Sequence, residues 1–347
     1  MSTIRDEAVD KRQDFYRRLG ESSLAPLWLS LAALVTPQPS SGCRAMAWRY
    51  PQLRALLTEA GELVSVEEAE RRVLVLENST FAGQSRVTTS LYAGLQLVRP
   101  GERARSHRHT QSALRLVIEG VGAYTAVGGE RTTMHPGDFI ITPSWQWHDH
   151  GNDTEDPVIW LDGLDIPLVQ ALDTSFAEQL GAVEQPISRP MGDSLARYGA
   201  NLLPVDHRPT SLTSPVLSYP YARTREALEA LRRSDHPDAW HGHKMRFVNP
   251  VTGGFAMPTI GTFMQLLPAG FRGKPYRATD ATVFTPVEGE GRTQVGEQMI
   301  EWSARDVFVV PSWSTVRHHA SSDAVLFSFS DRPVQQAIGL FREERLP

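Results

Sequence analysis

The chain has 347 residues, of which 41% are hydrophobic and 22% charged, enough for two domains with buried cores. A net charge of −5 offers no basic field for nucleic acid or an anionic membrane surface. The single cysteine, Cys43, excludes an internal disulfide and fits a reducing cytoplasm.

Residues 3–19 mix Arg5, Lys11, Arg12, Arg17 and Arg18 with Asp6, Glu7, Asp10 and Asp14, which predicts an exposed helix rather than the basic head of a secretion signal. The apolar run Leu24–Val35 is 12 residues long and broken by Pro26 and Ser30, too short to cross a bilayer. It is expected to pack on the body or on another subunit, so residues 1–71 are read as an N-terminal helical extension. From about Arg72 the texture becomes β-rich, in the runs Val73–Leu76, Val87–Val98, Leu114–Ile118, Tyr124–Val127, Phe139–Thr142 and Val158–Leu161, separated by Gly, Pro and Asn/Asp turns. Such spacing belongs to an all-β sandwich or barrel, placed over 72–175. A linker over 176–240 carries one predicted helix, 224–233, with Thr224 as its N-cap. The β texture returns over 241–347, in Phe263–Leu267, Val283–Val287, Val307–Val310 and Val325–Phe329.

The two β regions read as copies. Leu97 through Gly101 parallels Leu266 through Gly270, Val117 through Gly120 parallels Pro286 through Gly289, and Asp138 through Trp145 parallels Asp306 through Trp313. The offsets are 169, 169 and 168 residues, which implies a duplicated domain rather than a short repeat.

Only the first copy carries a metal constellation. His107 and His109 are two apart on one strand and so share a face, and His148 supplies a third imidazole after Pro143. A second pair, His241 and His243, has no third partner at a matching spacing and is read as surface or structural. The spacing Gly101, His107, His109, Gly120, followed by Gly137, Pro143, His148, Asn152, resembles the two cupin motifs. Ala113 stands at the glutamate position of the first motif, and Trp145 replaces the middle glycine of the second. Three neutral ligands leave the ion its full charge and open positions, which suits a chelating anion together with O2; zinc with one water is the alternative. If His107 and His109 face inward and the strand runs on without a bulge, Gln111, Ala113, Arg115 and Val117 do too. Arg115 then calls for an anion, either a substrate carboxylate or Asp162 in an internal ion pair. His150 shares the face of His148, with Asp149 outward. That makes His150 either an acid/base group beside the metal or a satisfied core histidine. Tyr92, Gly94 and Gln96 share one face, as do Trp160 and Asp162, while Trp145 and Trp147 are read as packing.

Longer strings of the sequence resemble the gentisate 1,2-dioxygenase family: His107 through Arg115, Trp147 through Asn152, Asp162 through Asp165, Asn249 through Gly254, Met257 through Ile260, Gln265 through Pro268 and Phe327 through Asp331. The resemblance covers Ala47 to the C-terminus. It implies a homotetrameric bicupin of two jelly-roll barrels with one Fe(II) per subunit on His107, His109 and His148. It also implies cleavage of gentisate by O2 to maleylpyruvate, with relatives that act on salicylate or 1-hydroxy-2-naphthoate. The substrate shell it implies is Gln96, Arg115, His150 and Asp162 with one arginine of the pair Arg71 and Arg72. The second copy departs from the pattern, with Tyr276, Ala278 and Val316 where the three histidines would stand, and is expected to be metal-free. Rival readings are a non-catalytic cupin that senses a small aromatic acid and a manganese decarboxylase; Ala113 in the glutamate position speaks against the decarboxylase.

Overall fold

The computed structural model describes residues 2–347, with side chains described from Val9 onward. Residues up to Ser40 form a unit of their own, made of helices Ser2–Glu21 and Leu27–Leu34. The second of these exposes Leu27, Trp28, Leu29, Leu31 and Leu34. No described helix is long and apolar enough to cross a membrane.

Residues 41–347 build the two duplicated barrels, each from one six-stranded and one five-stranded antiparallel sheet. In the first barrel the six-stranded sheet runs Ser218–Tyr219, Phe139–Thr142, Ala113–Glu119, Val158–Leu164, Tyr92–Val98, Val73–Val75. Facing it is the sheet Ala177–Gln179, Arg103–His109, His148–Gly151, Tyr124–Val127, Glu130–Thr133. The core follows strand parity. One set of residues (Val117, Ile140, Val158, Trp160) fills the first lumen, and another (Phe284, Trp302, Phe308, Val310) fills the second. The alternate residues of both six-stranded sheets, among them Leu114, Leu116, Ile141 and Leu161 with Val283, Val309, Phe327 and Phe329, merge into one cluster between the barrels. At Gly163 a Cβ would lie 2.8 Å from the Phe329 ring, so the sheets meet where a side chain is missing.

Backbone conformation repeats with the sequence. Gly101 and Gly270 share a positive φ, as do Gly120 and Gly289. Trp145 and Trp313 sit at φ +63° and +60°, left-handed positions that ordinarily favour glycine. Each is covered by an arginine from the matching strand position, Arg108 over Trp145 at 4.5 Å and Arg277 over Trp313 at 4.6 Å. Cation–π contact of this kind offsets part of the backbone strain, which explains how tryptophan stands at a glycine position.

Strand pairing crosses the boundaries drawn from sequence. Met46–Trp48, inside the expected helical extension, pairs with Val307–Val309 of the second barrel. Ala177–Gln179 and Ser218–Tyr219, inside the expected linker, pair with the first barrel. The run expected over Val87–Val98 is a strand only from Tyr92 onward. The expected helix at 224–233 spans Tyr221–Ser234, and its first free N–H, that of Tyr221, donates to the Asp138 carboxylate at 2.8 Å. Thr224 therefore lies inside the helix, because the cap comes from the first barrel rather than from a local side chain. His241 and His243 are not at the surface: His243 is buried, and the His241 ring packs edge-on against Tyr276.

Cys43 is 6% exposed, receives an N–H from Asn78, and has its thiol pushed up to about 12 by burial. It is expected to resist alkylation at pH 8 in the folded protein and to react once denaturant unfolds it; mass spectrometry of iodoacetamide-treated protein measures both states.

Candidate active site

His107 and His109 lie at the end of strand Arg103–His109, and His148 begins the neighbouring strand, directly across from His107 in register. One nitrogen from each of the three rings comes within 4.8 Å of the others, the only such cluster of potential ligands among the described residues. Ring centroids are 4.1 to 5.2 Å apart. His109 Nδ1 donates to the Gln111 carbonyl and His148 Nδ1 to the Gln146 carbonyl, both at 2.9 Å. A carbonyl only accepts, so those nitrogens carry the protons and Nε2 of each ring keeps a free lone pair. Burial, aided at His107 by the Arg71 charge, pulls His107 down to about 3 and His109 to about 4, and holds His148 well below its ordinary value. All three are thus neutral near pH 7, the form that binds a metal. The donor set fits one divalent ion. Buried Ala113 adds no carboxylate, so three imidazoles leave coordination positions open.

The strand bulges between Ala104 and His107 and stops at His109, with Thr110–Ser112 turning into the next strand. Parity therefore restarts, yet Arg115 still points into the lumen. It is buried, donates to Thr142 Oγ1 at 2.5 Å and to His150 Nε2 at 3.1 Å, and has its Nε 3.4 Å from Asp162 Oδ1. The last contact is an ion pair without hydrogen-bond geometry: Arg115 Nε and Asp162 Oδ1 both lack a hydrogen-bond partner, as does Trp160 Nε1. Burial lifts the Asp162 carboxyl to about 6 even though Arg115 opposes the shift. His150 accepts from Arg115, so its proton sits on Nδ1, facing Thr125 Oγ1 at 3.0 Å. Burial and the Arg115 charge keep it neutral. Gln96 is buried and paired in register with Trp160 on the adjacent strand. Asp149 points away from the lumen as parity requires, but it is buried and accepts the Gln185 N–H at 2.9 Å.

The two candidate arginines separate. Arg71 lies against the His107 ring, with Nη2 3.0 Å from Nε2, and also lines a cavity of about 1100 Å³ outside the cluster. Arg72 turns the other way: it forms a fork on Glu102 at 2.8 and 2.9 Å and donates to the Val64 carbonyl. Arg72 thus leaves the shell of candidate residues, because its guanidinium is already fully engaged. Replacing Arg72 with methionine is expected to lower unfolding stability by about 3 kcal/mol through the orphaned Glu102, with metal content unchanged; chemical denaturation and metal analysis check the two halves. Sequence reasoning missed Thr125 and Thr142, which hold His150 and Arg115. The alternation of their strands, which turns both inward, was the available signal.

Comparison with known proteins agrees with this architecture. Residues 94–164 match the Cupin domain family. The chain is 56% identical to the gentisate 1,2 dioxygenase 1 of Aquipseudomonas alcaligenes, over 99% of this chain and 100% of that protein. It is 34% identical to the 5-aminosalicylate 1,2-dioxygenase of a Comamonas species, over 94% and 88%. The crystal structure of salicylate 1,2-dioxygenase from Pseudoaminobacter salicylatoxidans with gentisate superposes with a TM-score of 0.92 at 33% identity, covering 96% of this chain and 94% of that one.

Proposed function

The chain belongs to the gentisate 1,2-dioxygenase family of cupin ring-cleaving dioxygenases, and from that premise we propose that it holds one Fe(II) on His107, His109 and His148 and converts gentisate (2,5-dihydroxybenzoate) and O2 to maleylpyruvate. The observation that carries the reading is the set of buried polar atoms without partners, Arg115 Nε, Trp160 Nε1 and Asp162 Oδ1, in the same lumen as an open three-histidine cluster. Two donors and one acceptor match a carboxylate and a hydroxyl, and leaving them unsatisfied is costly. A non-catalytic sensor would need no open coordination positions.

Bound iron supplies Lewis acidity toward a chelating carboxylate and hydroxyl and the reducing power that activates O2. The protein's own groups orient and balance charge. Arg115 and Arg71 bring two cations to the substrate carboxylate, Arg115 by its planar fork. His150 is held neutral, with Thr125 fixing its tautomer and Nε2 accepting from Arg115; once the Arg115 guanidinium turns to the substrate carboxylate, that Nε2 lone pair becomes the acceptor for a substrate hydroxyl. Asp162 offers an acceptor to a hydroxyl, and Gln96 an amide to the ring substituents. The ring opens between the carboxyl-bearing carbon and its hydroxyl-bearing neighbour; both oxygen atoms of O2 enter the product and nothing leaves.

Reaction under ¹⁸O2 tests this reading: two labelled oxygens in the product are expected, and one or none would overturn it. A cytoplasmic homotetramer is the assembly the family resemblance implies, and the exposed apolar side chains of Leu27–Leu34 offer a face for subunit contact; light scattering should give a particle of four chains.

A further inference from the structure

The second barrel keeps part of the first barrel's lumen while lacking its histidine cluster. His318 stands where His150 does and faces Thr293 as His150 faces Thr125, at 2.8 and 3.0 Å. Gln265 takes the place of Gln96, Ser328 that of Asp162, and Phe284 that of Arg115, its ring meeting His318 edge-on at 5.0 Å. His318 Nε2, Gln265 Oε1 and Ser328 Oγ are buried without a hydrogen-bond partner.

One cation reaches this lumen from a different direction. Lys244 lies on the edge strand His243–Arg246, opposite Gln265 in register. Its ammonium is 4.8 Å from the centroid of the Phe263 ring and 5.9 Å from that of Phe284. No carboxylate of the described residues pairs with it. The neighbouring Arg332, by contrast, is tied to Asp280 at 3.0 and 3.3 Å and to Glu343 at 3.4 Å. Lys244, Phe263 and Arg332 separate a void of about 20 Å³ inside the barrel from an open cavity of about 320 Å³ outside it. Phe255 borders the outer cavity and meets Phe263 edge-on at 5.9 Å. Lys244 is half-buried and borders the open cavity, and burial together with the Arg332 charge draws the lysine down to about 8.

We infer that the mouth of the second barrel is a binding site for a small aromatic carboxylate, with its anionic group on Lys244 and its ring against Phe263 and Phe255. An unpaired ammonium walled by aromatic rings lacks only a counter-ion, and the outer cavity has room for one benzoate-sized ring. The inference rests on the second barrel alone and stands whether or not the first barrel cleaves its ring.

Titration calorimetry of the iron-loaded protein with benzoate, paired with crystals soaked in 4-bromobenzoate, tests it. Two sites per chain are expected, one of them giving an anomalous bromine peak beside Phe263. Lys244→Met should lose that site or weaken it at least tenfold, and Lys244→Arg, which keeps the charge, should retain it. Unchanged thermal unfolding of both variants shows that the barrel is intact. No bromine peak beside Phe263 in the unaltered protein, or a site there that survives Lys244→Met, would overturn the inference, whatever the first barrel binds.

Discussion

His107→Ala is expected to remove the metal and, with it, turnover by at least about a thousandfold, because the Lewis acidity lost is worth several kcal/mol of barrier. His107 is half-buried and belongs to none of the apolar clusters, so the fold should survive the change with a small loss of thermal stability. Metal analysis of the loaded, unaltered protein should give close to one ion per chain. The second barrel has Tyr276 facing Val316 where the first has His107 facing His148, and neither residue offers an imidazole. Two ions per chain, or full metal in the variant, would contradict the assignment.

Arg115→Met is expected to lower kcat/KM by about 2–3 kcal/mol, roughly 30- to 160-fold, with metal content unchanged. The variant also strips Asp162 of its counter-charge, so that carboxyl should climb further above the value of about 6 that burial already imposes. It would then be protonated near pH 7 and would no longer serve purely as an acceptor. Arg115→Lys separates the two effects: it keeps the charge but not the fork, and should recover Asp162 ionisation without recovering full substrate affinity. If Arg115→Met merely unfolds at lower temperature with unchanged kinetics, Arg115 is a member of a structural ion pair and the carboxylate contact lies elsewhere.

The parts of this molecule legible in the sequence were those set by strand parity and turn glycine. His107 and His109 on one face, His148 across from them and the duplicated barrels all follow from period-two alternation and a constant offset. Alternation along an unbroken strand also places Arg115 inward. In the structure a bulge before His107 and a turn after His109 reset the parity, and Arg115 points inward because the next strand begins in matching phase. Short strands escaped. Met46–Trp48 and Ser218–Tyr219 are three and two residues long, too brief to show alternation, and each is defined by a distant partner. The choice between Arg71 and Arg72 was likewise illegible, since what decides it is Glu102 thirty residues away. The helix cap at Tyr221 failed for the same reason: Asp138 supplies it through space.

The first barrel is proposed to be an iron site that opens the ring of an electron-rich hydroxybenzoate. The second hydroxyl of gentisate, para to the first, donates density into the ring and should ease reduction of O2. Gentisate is therefore expected to exceed salicylate by at least about tenfold in kcat/KM, roughly 1.4 kcal/mol of barrier. The most direct measurement is O2 uptake by anaerobically iron-loaded protein with each acid in turn, alongside the rise in maleylpyruvate absorbance. One O2 consumed per gentisate is expected, with slow or absent uptake with salicylate. Equal or faster turnover of salicylate would contradict the substrate assignment, and no uptake with any hydroxybenzoate from protein carrying its full iron would contradict ring cleavage itself.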